Sequence, residues 1–309
     1  MTLSARAGMR RALAIAATGL LAHAPIAWSQ AAINCSTELY GVTQNGSLFR
    51  VNITTGAASA VGATPVNLTE IEFDAASGQL WAADGPGHGG PSMLRLLNPA
   101  SGAELSAVAF NPAGFVTGME IVGNTFYGAY SNGAGSPSML VTIDRTTGTL
   151  TTIGAMGISV PIAGLAHDTT TSTMYGVTAG GQGIAALMRI DLTTGVATFV
   201  GPIGSYTKIG SIEFGPDGNL YGGVSQDGML DPGWLLRINP ATGAPTRIGD
   251  MSFSTTGLAA CPAAAPPPPP PPPAAAPSVA VPTLSSFGFI GLGALIAIAG
   301  FAALRRRSR

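Results

Sequence analysis

The sequence predicts an all-β chain: a five-bladed β-propeller with strand-swapped closure of the first blade, followed by one C-terminal transmembrane helix. Three observations predict it. A turn in which an apolar residue precedes Asn or Asp, with Ser-Gly or Thr-Gly closing it, occurs five times: at Val51–Gly56, Leu97–Gly102, Ile143–Gly148, Ile190–Gly195 and Ile238–Gly243. The closing glycines are 46, 46, 47 and 48 residues apart, a period that belongs to radial β-repeats. Between the turns lie short, β-branched segments, four per unit, bounded by Gly, Asn, Asp, Ser or Thr.

Taken in order, each unit opens on an inner strand. A second strand follows, marked by Leu39-Tyr-Gly, Leu80-Trp-Ala, Phe126-Tyr-Gly, Met174-Tyr-Gly and Leu220-Tyr-Gly. In the fourth unit the segments are 162–166, 174–177, 186–191 and 196–200. The first unit lacks its opening strand, and Thr256–Cys261 matches Ala163–Asp168. The last strand is therefore expected to complete the first blade. That brings Cys35 and Cys261, the two cysteines of the chain, to one hairpin end as a disulfide. The Asn or Asp of each turn bonds backbone groups ahead of it, and its Gly supplies positive φ. Arg50, Arg189 and Arg237 stand two residues before that Asn or Asp, while Arg95 is shifted by one. A recurring Arg of this kind reads as structural.

The body is flanked by two terminal segments, giving a division into 1–29, 30–261, 262–280 and 281–309. Arg6, Arg10 and Arg11, an apolar run from Ala12 and small residues at Ala27 and Ser29 read as a secretory signal. Pro266–Pro273 are consecutive prolines and form a polyproline II spacer. Phe287–Leu304 is an uncharged run of 18 residues, enough to span a bilayer core. Arg305, Arg306, Arg307 and Arg309 place the C-terminus in the cytoplasm. The body thus faces outward from the inner membrane before any processing.

The tail resembles the IPTL-CTERM sorting signal of Gram-negative bacteria. The residues that carry the resemblance are Val281, Pro282, Thr283, Leu284, Phe287 and Gly288, with Val281 and Phe287 standing where the family has Ile and Trp. The resemblance implies recognition by an exosortase-type membrane transpeptidase, cleavage near the motif and transfer to a surface acceptor. The body resembles bacterial extracytoplasmic repeat propellers with Tyr-Gly and Asp-x-x-Thr-Gly signatures, a likeness that carries no activity.

All fifteen acidic residues lie between Cys35 and Cys261, against seven basic ones, a net charge of −8 for that segment. Such a surface repels phosphate backbones, so nucleic acid is not an expected partner. The expected partners are the sorting enzyme and a surface glycan or protein. Loops between second and third strands are long and polar in four units. They hold Asp84, His88, Asp227 and Asp231, with Trp234 just beyond, as a candidate binding face.

One acidic position repeats on the inner strands: Glu72, Glu120 and Glu213, with Ala166 and Ala259 in the other two units. Three carboxylates near the axis could hold Ca²⁺ or bond neighbouring strand amides, and the second reading is preferred. No other cofactor is expected. Catalytic residues are sparse: after signal removal only His88 and His167 remain as histidines, and there is no Gly-x-Ser-x-Gly elbow. The favoured function is a surface-sorted binding propeller. The alternatives are a structural envelope component and a five-bladed glycoside hydrolase using channel carboxylates, a reading by analogy of fold.

Overall fold

The computed structural model describes residues 34–85, 91–132, 137–179, 183–225 and 233–262. The chain divides into two units, Met1–Ala264 and Ala265–Arg309, and the described residues all fall in the first. The sorting motif Val281, Pro282, Thr283, Leu284, Phe287 and Gly288, the apolar run after it, and the signal segment lie outside the described residues. Among the described residues no helix is long and apolar enough to cross a membrane.

Among the described residues, twenty strands form five four-stranded antiparallel sheets. The first sheet contains β1 (Glu38–Thr43), β2 (Ser47–Asn52) and β3 (Ala58–Ala63). The second is β4 (Leu68–Asp74), β5 (Gln79–Asp84), β6 (Met93–Leu97) and β7 (Glu104–Ala109). The third is β8 (Phe115–Val122), β9 (Thr125–Ser131), β10 (Met139–Ile143) and β11 (Leu150–Ala155). The fourth is β12 (Ile162–Asp168), β13 (Thr173–Thr178), β14 (Ala186–Ile190) and β15 (Ala197–Pro202). The fifth is β16 (Ile209–Phe214), β17 (Leu220–Val224), β18 (Trp234–Ile238) and β19 (Pro245–Asp250). The last strand, β20 (Thr255–Ala260), is the inner strand of the first sheet and pairs with β1 from Leu39↔Ala260 to Thr43↔Thr255. Each inner strand packs on two others: β4 on β8, β8 on β12, β12 on β16, β16 on β20, and β20 on β4. The ring of inner strands is closed, which defines a five-bladed propeller. Cys35 and Cys261 are joined in a disulfide, Cα atoms 5.4 Å apart.

Apolar side chains fill the wedges between blades. Leu48, Leu68, Ile71, Leu80 and Leu97 belong to one such cluster, between the first and second blades. Leu187, Ile209, Ile212, Leu220 and Leu236 belong to another, between the fourth and fifth. Outer strands face solvent, with Leu105 and Phe199 exposed.

The repeated turn is both a local device and an interface between blades. Asp191 Oδ1 accepts the amides of Thr193 and Thr194 at 2.8 and 2.9 Å, and Gly195 closes the turn at φ +79°. Asn52 and Asp144 do the same for Thr54, Thr55, Thr146 and Thr147. The carbonyl that the turn presents then rests against the outer strand of the preceding blade. A Cβ on Gly201 would lie 2.0 Å from the carbonyl oxygen of Thr242, and Gly62, Gly154 and Gly249 stand in the same relation to Ser101, Thr194 and Thr55. Nearer the axis, three threonines bridge blades. Thr69 Oγ1 donates to the carbonyls of Ala83 in its own blade and Val116 in the next. Thr117 bridges Ala129 and Ile162, and Thr256 bridges Val42 and Leu68.

Candidate functional site: the axial carboxylates

Side chains alternate across a strand, so residues two apart on an inner strand share a face. Aligning the five inner strands gives two consecutive layers on the axis. The first layer is Glu70, Gly118, Gly164, Ser211 and Gly257; the second is Glu72, Glu120, Ala166, Glu213 and Ala259. The glycines in the first layer are required by close approach. A Cβ on Gly118, Gly164 or Gly257 would fall 2.8–2.9 Å from backbone atoms of Gly164, Ser211 or Glu70.

Glu70 fills the space that the glycines leave. Both of its carboxyl oxygens receive the Ser211 hydroxyl, at 3.0 and 2.8 Å. Oε1 also accepts the amides of Leu258 at 3.0 Å and Ile71 at 3.2 Å. The carboxyl therefore ties the second blade to the first and the fifth. Burial raises its pKa well above the ordinary carboxylate range, and the Ser211 and Ile71 bonds only partly offset that.

In the second layer, Glu72, Glu120 and Glu213 each bring one carboxylate oxygen to within 4.8 Å of the others. They are 5%, 7% and 6% exposed. Glu72 Oε1 accepts the Phe73 amide at 2.8 Å. Glu120 accepts two amides at 2.8 Å, Ile121 through Oε1 and His167 of the next blade through Oε2. Glu72 Oε2 and Glu213 Oε2 are buried and, among the described residues, receive no hydrogen from any amide or hydroxyl. The Glu72 and Glu213 carboxyls can bond each other only when one of them carries a proton. Burial first, then repulsion from neighbouring carboxylates (Glu213 and Glu120 for Glu72, Glu120 and Glu70 for Glu213), holds the pKa of Glu72 and Glu213 well above the usual range. Burial pushes Glu120 to about 8. Arg50, Arg95, Arg145 and Arg247 form ion pairs with Glu38, with Asp84 and Glu104, with Asp74 and with Asp250 respectively.

The two readings of the axial position therefore coexist: the carboxylates bond strand amides, and they also converge. Convergence alone does not make a glycosidase. A retaining pair would be about 5–5.5 Å apart, and it must also touch a sugar ring. These carboxylates are buried among inner strands, with Glu70 filling the adjacent layer.

The candidate rim is only partly brought together. His88, Asp227 and Asp231 lie outside the described residues. Asp84 is a correction to the expected face: it is fully buried at the end of β5. Its Oδ2 accepts Arg95 Nε at 2.9 Å and Nη2 at 2.6 Å, and Arg95 also pairs with Glu104. A carboxylate so engaged is not available to a ligand. Trp234 is half-buried at the start of β18, edge-on to Tyr206 at 6.0 Å, with the Arg247 guanidinium 4.2 Å above its ring. Tyr206 and Arg247, like Glu70 and Ser211, were not among the expected site residues. For Glu70 the signal was present, since it stands two residues before Glu72 on one strand. His167 meets the axis through its backbone amide. No protein-family model and no curated protein matches the chain.

Proposed function

We propose that this chain is an exported, surface-sorted propeller that acts by binding a surface glycan or protein. The observation that carries binding over catalysis is the burial of the converging carboxylates, 5–7% exposed, which denies a polymeric substrate contact with them. A disulfide between Cys35 and Cys261 suits an oxidising compartment, in keeping with the signal segment and the sorting tail read from the sequence. We read the β20–β1 pairing and this disulfide together as the strand-swapped closure that holds the ring against opening at the surface.

The binding face in this reading is the end of the propeller that carries the loops between second and third strands, opposite the repeated turns. There Trp234, Tyr206 and Arg247 form a patch with apolar ring faces and polar edges, the combination that suits sugars and extended peptides. The full chain, purified in detergent, is applied to an array of bacterial surface glycans. Binding should be lost in Trp234→Ala and retained in Glu213→Gln. Hydrolysis of arabinan or xylan oligosaccharides, abolished by Glu72→Gln, Glu120→Gln or Glu213→Gln, would replace this reading with an enzyme.

A further inference from the structure

We propose that the axis of the propeller is a calcium site in which Glu72, Glu120 and Glu213 are the protein carboxylate ligands. The inference stands apart from export and from the rim, and neither outcome on the glycan array affects it.

Three features of the geometry carry it. The first is convergence from separate blades. Inner strands β4, β8 and β16 each send one carboxylate to a common point, with oxygens within 4.8 Å of one another. Ligands at about 2.3–2.6 Å from one calcium ion are at most about 4.6–5.2 Å apart, and no pair of these oxygens exceeds that reach. One calcium ion can therefore engage all three, whereas magnesium dehydrates reluctantly and is seldom held in a buried, protein-walled cage.

The second is the pair of orphaned oxygens. Glu72 Oε2 and Glu213 Oε2 are buried without a hydrogen-bond donor among the described residues, in a fold whose neighbouring carboxyl, Glu70, is bonded by a hydroxyl and two amides. Buried acceptors are ordinarily satisfied. A hard cation satisfies both oxygens and removes the repulsion between the carboxylates. Glu120 spends one lone pair on each of its two amide bonds, and a carboxylate oxygen has a second to give.

The third is the composition of the layer. Ala166 and Ala259 are the other two residues, and their small side chains leave room for an ion and its remaining water ligands. The donors are all oxygens, with neither thiolate nor imidazole among them, which selects calcium-like ions over zinc. Glu70, held in the adjacent layer by Ser211 and two amides, is not a ligand in this assignment.

The test uses the full chain in detergent, stripped with EDTA and dialysed to about pH 7.5, titrated with calcium chloride by calorimetry and followed by thermal melts. The expected result is one calcium per chain. At a hundredfold excess over Kd the midpoint should rise by roughly 5–10 °C, and magnesium should bind at least about tenfold more weakly. The triple variant Glu72→Gln, Glu120→Gln, Glu213→Gln should lose the thermal shift, and the single variant Glu213→Gln should weaken binding at least about tenfold while keeping its disulfide and β-sheet spectrum. A wild-type chain with no heat and no shift at about 5 mM calcium, above the range of extracellular calcium modules, would overturn the proposal. So would an equal shift in wild type and Glu213→Gln, which would locate the ion elsewhere, and so would equal affinities for calcium and magnesium.

Discussion

Removing the disulfide tests how the ring is held shut. Cys35 and Cys261 are 226 residues apart. In the chain-entropy model a cross-link closing a loop of that length disfavours the unfolded state by about 5 kcal/mol, and measured effects are typically about 2–4 kcal/mol. The cross-link lies beside β1 and β20, whose pairing runs from Leu39↔Ala260 to Thr43↔Thr255, so the native ring keeps its strand pairing after reduction. The perturbation is Cys35→Ala with Cys261→Ala, chosen because both cysteines border the apolar cluster of Tyr40, Val42 and Leu68 and Ala adds no buried hydroxyl. For a domain of this size each kcal/mol corresponds to about 2–4 °C, so the midpoint should fall by about 4–16 °C, with the denaturant slope m rising because the unfolded chain becomes more expanded. Equilibrium urea unfolding with amide hydrogen exchange on β1 and β20 makes the measurement. A loss below about 1 kcal/mol, with Leu39, Gly41 and Leu258 amides still exchanging only by global unfolding, would show that strand pairing alone closes the ring and would refute the argument.

Three further outcomes follow from the contacts. In the calcium-free protein, Glu72, Glu120 and Glu213 bind protons more tightly when folded than when unfolded. Their stabilisation is complete below the unfolded value of about 4.3 and is lost as pH rises through their raised folded values, about 8 for Glu120. Urea midpoints in EDTA should therefore fall between pH 5 and 8, by up to about 1.4 kcal/mol per pH unit for each group titrating, and Glu120→Gln should flatten the profile. Gly201→Val should destabilise by more than about 2 kcal/mol in thermal or urea melts, because its Cβ would meet the Thr242 carbonyl oxygen at 2.0 Å. Thr117→Val keeps the shape but removes the hydroxyl shared by the carbonyls of Ala129 and Ile162. It should cost about 1–3 kcal/mol, whereas Thr117→Ser should recover most of it.

Blade number and strand order were legible because the repeated turn is obligatory chemistry. An Asn or Asp that accepts two amides and a glycine at positive φ cannot drift far from one another, so their spacing reports the blade directly. The repeat also placed Glu72, Glu120 and Glu213 on one face, since equivalent inner-strand positions of a closed ring must meet at the axis. What it could not report is how one blade receives the next. The turn carbonyl of Thr242 against Gly201, and the hydroxyl of Thr117 between Ala129 and Ile162, join residues about 40–50 positions apart with no local pattern to mark them. Glu70 was missed for the opposite reason: equivalent strands carry Gly118, Gly164 and Gly257, so a search for what repeats passes over the residue that departs.

The same logic explains Asp84. In the first, fourth and fifth blades the third-strand arginines, Arg50, Arg189 and Arg237, stand across from Tyr40, Tyr175 and Tyr221. Arg95 stands across from Ala82 instead, one residue out of step. A shift of one residue in a strand turns a side chain to the other face of the sheet. There Arg95 meets Asp84, which shares a face with Ala82, and the pair is buried, with Glu104 reaching Arg95 from the exposed outer strand. The displaced arginine was visible in the sequence, and parity alone requires a new partner for it. An acidic residue two positions beyond Ala82 is that partner. Departures from the repeat are thus the informative positions in this chain. One departure, Arg95, consumes an acid that would otherwise have belonged to the rim. Another, Glu70, places a fourth carboxyl beside the three that converge on the axis.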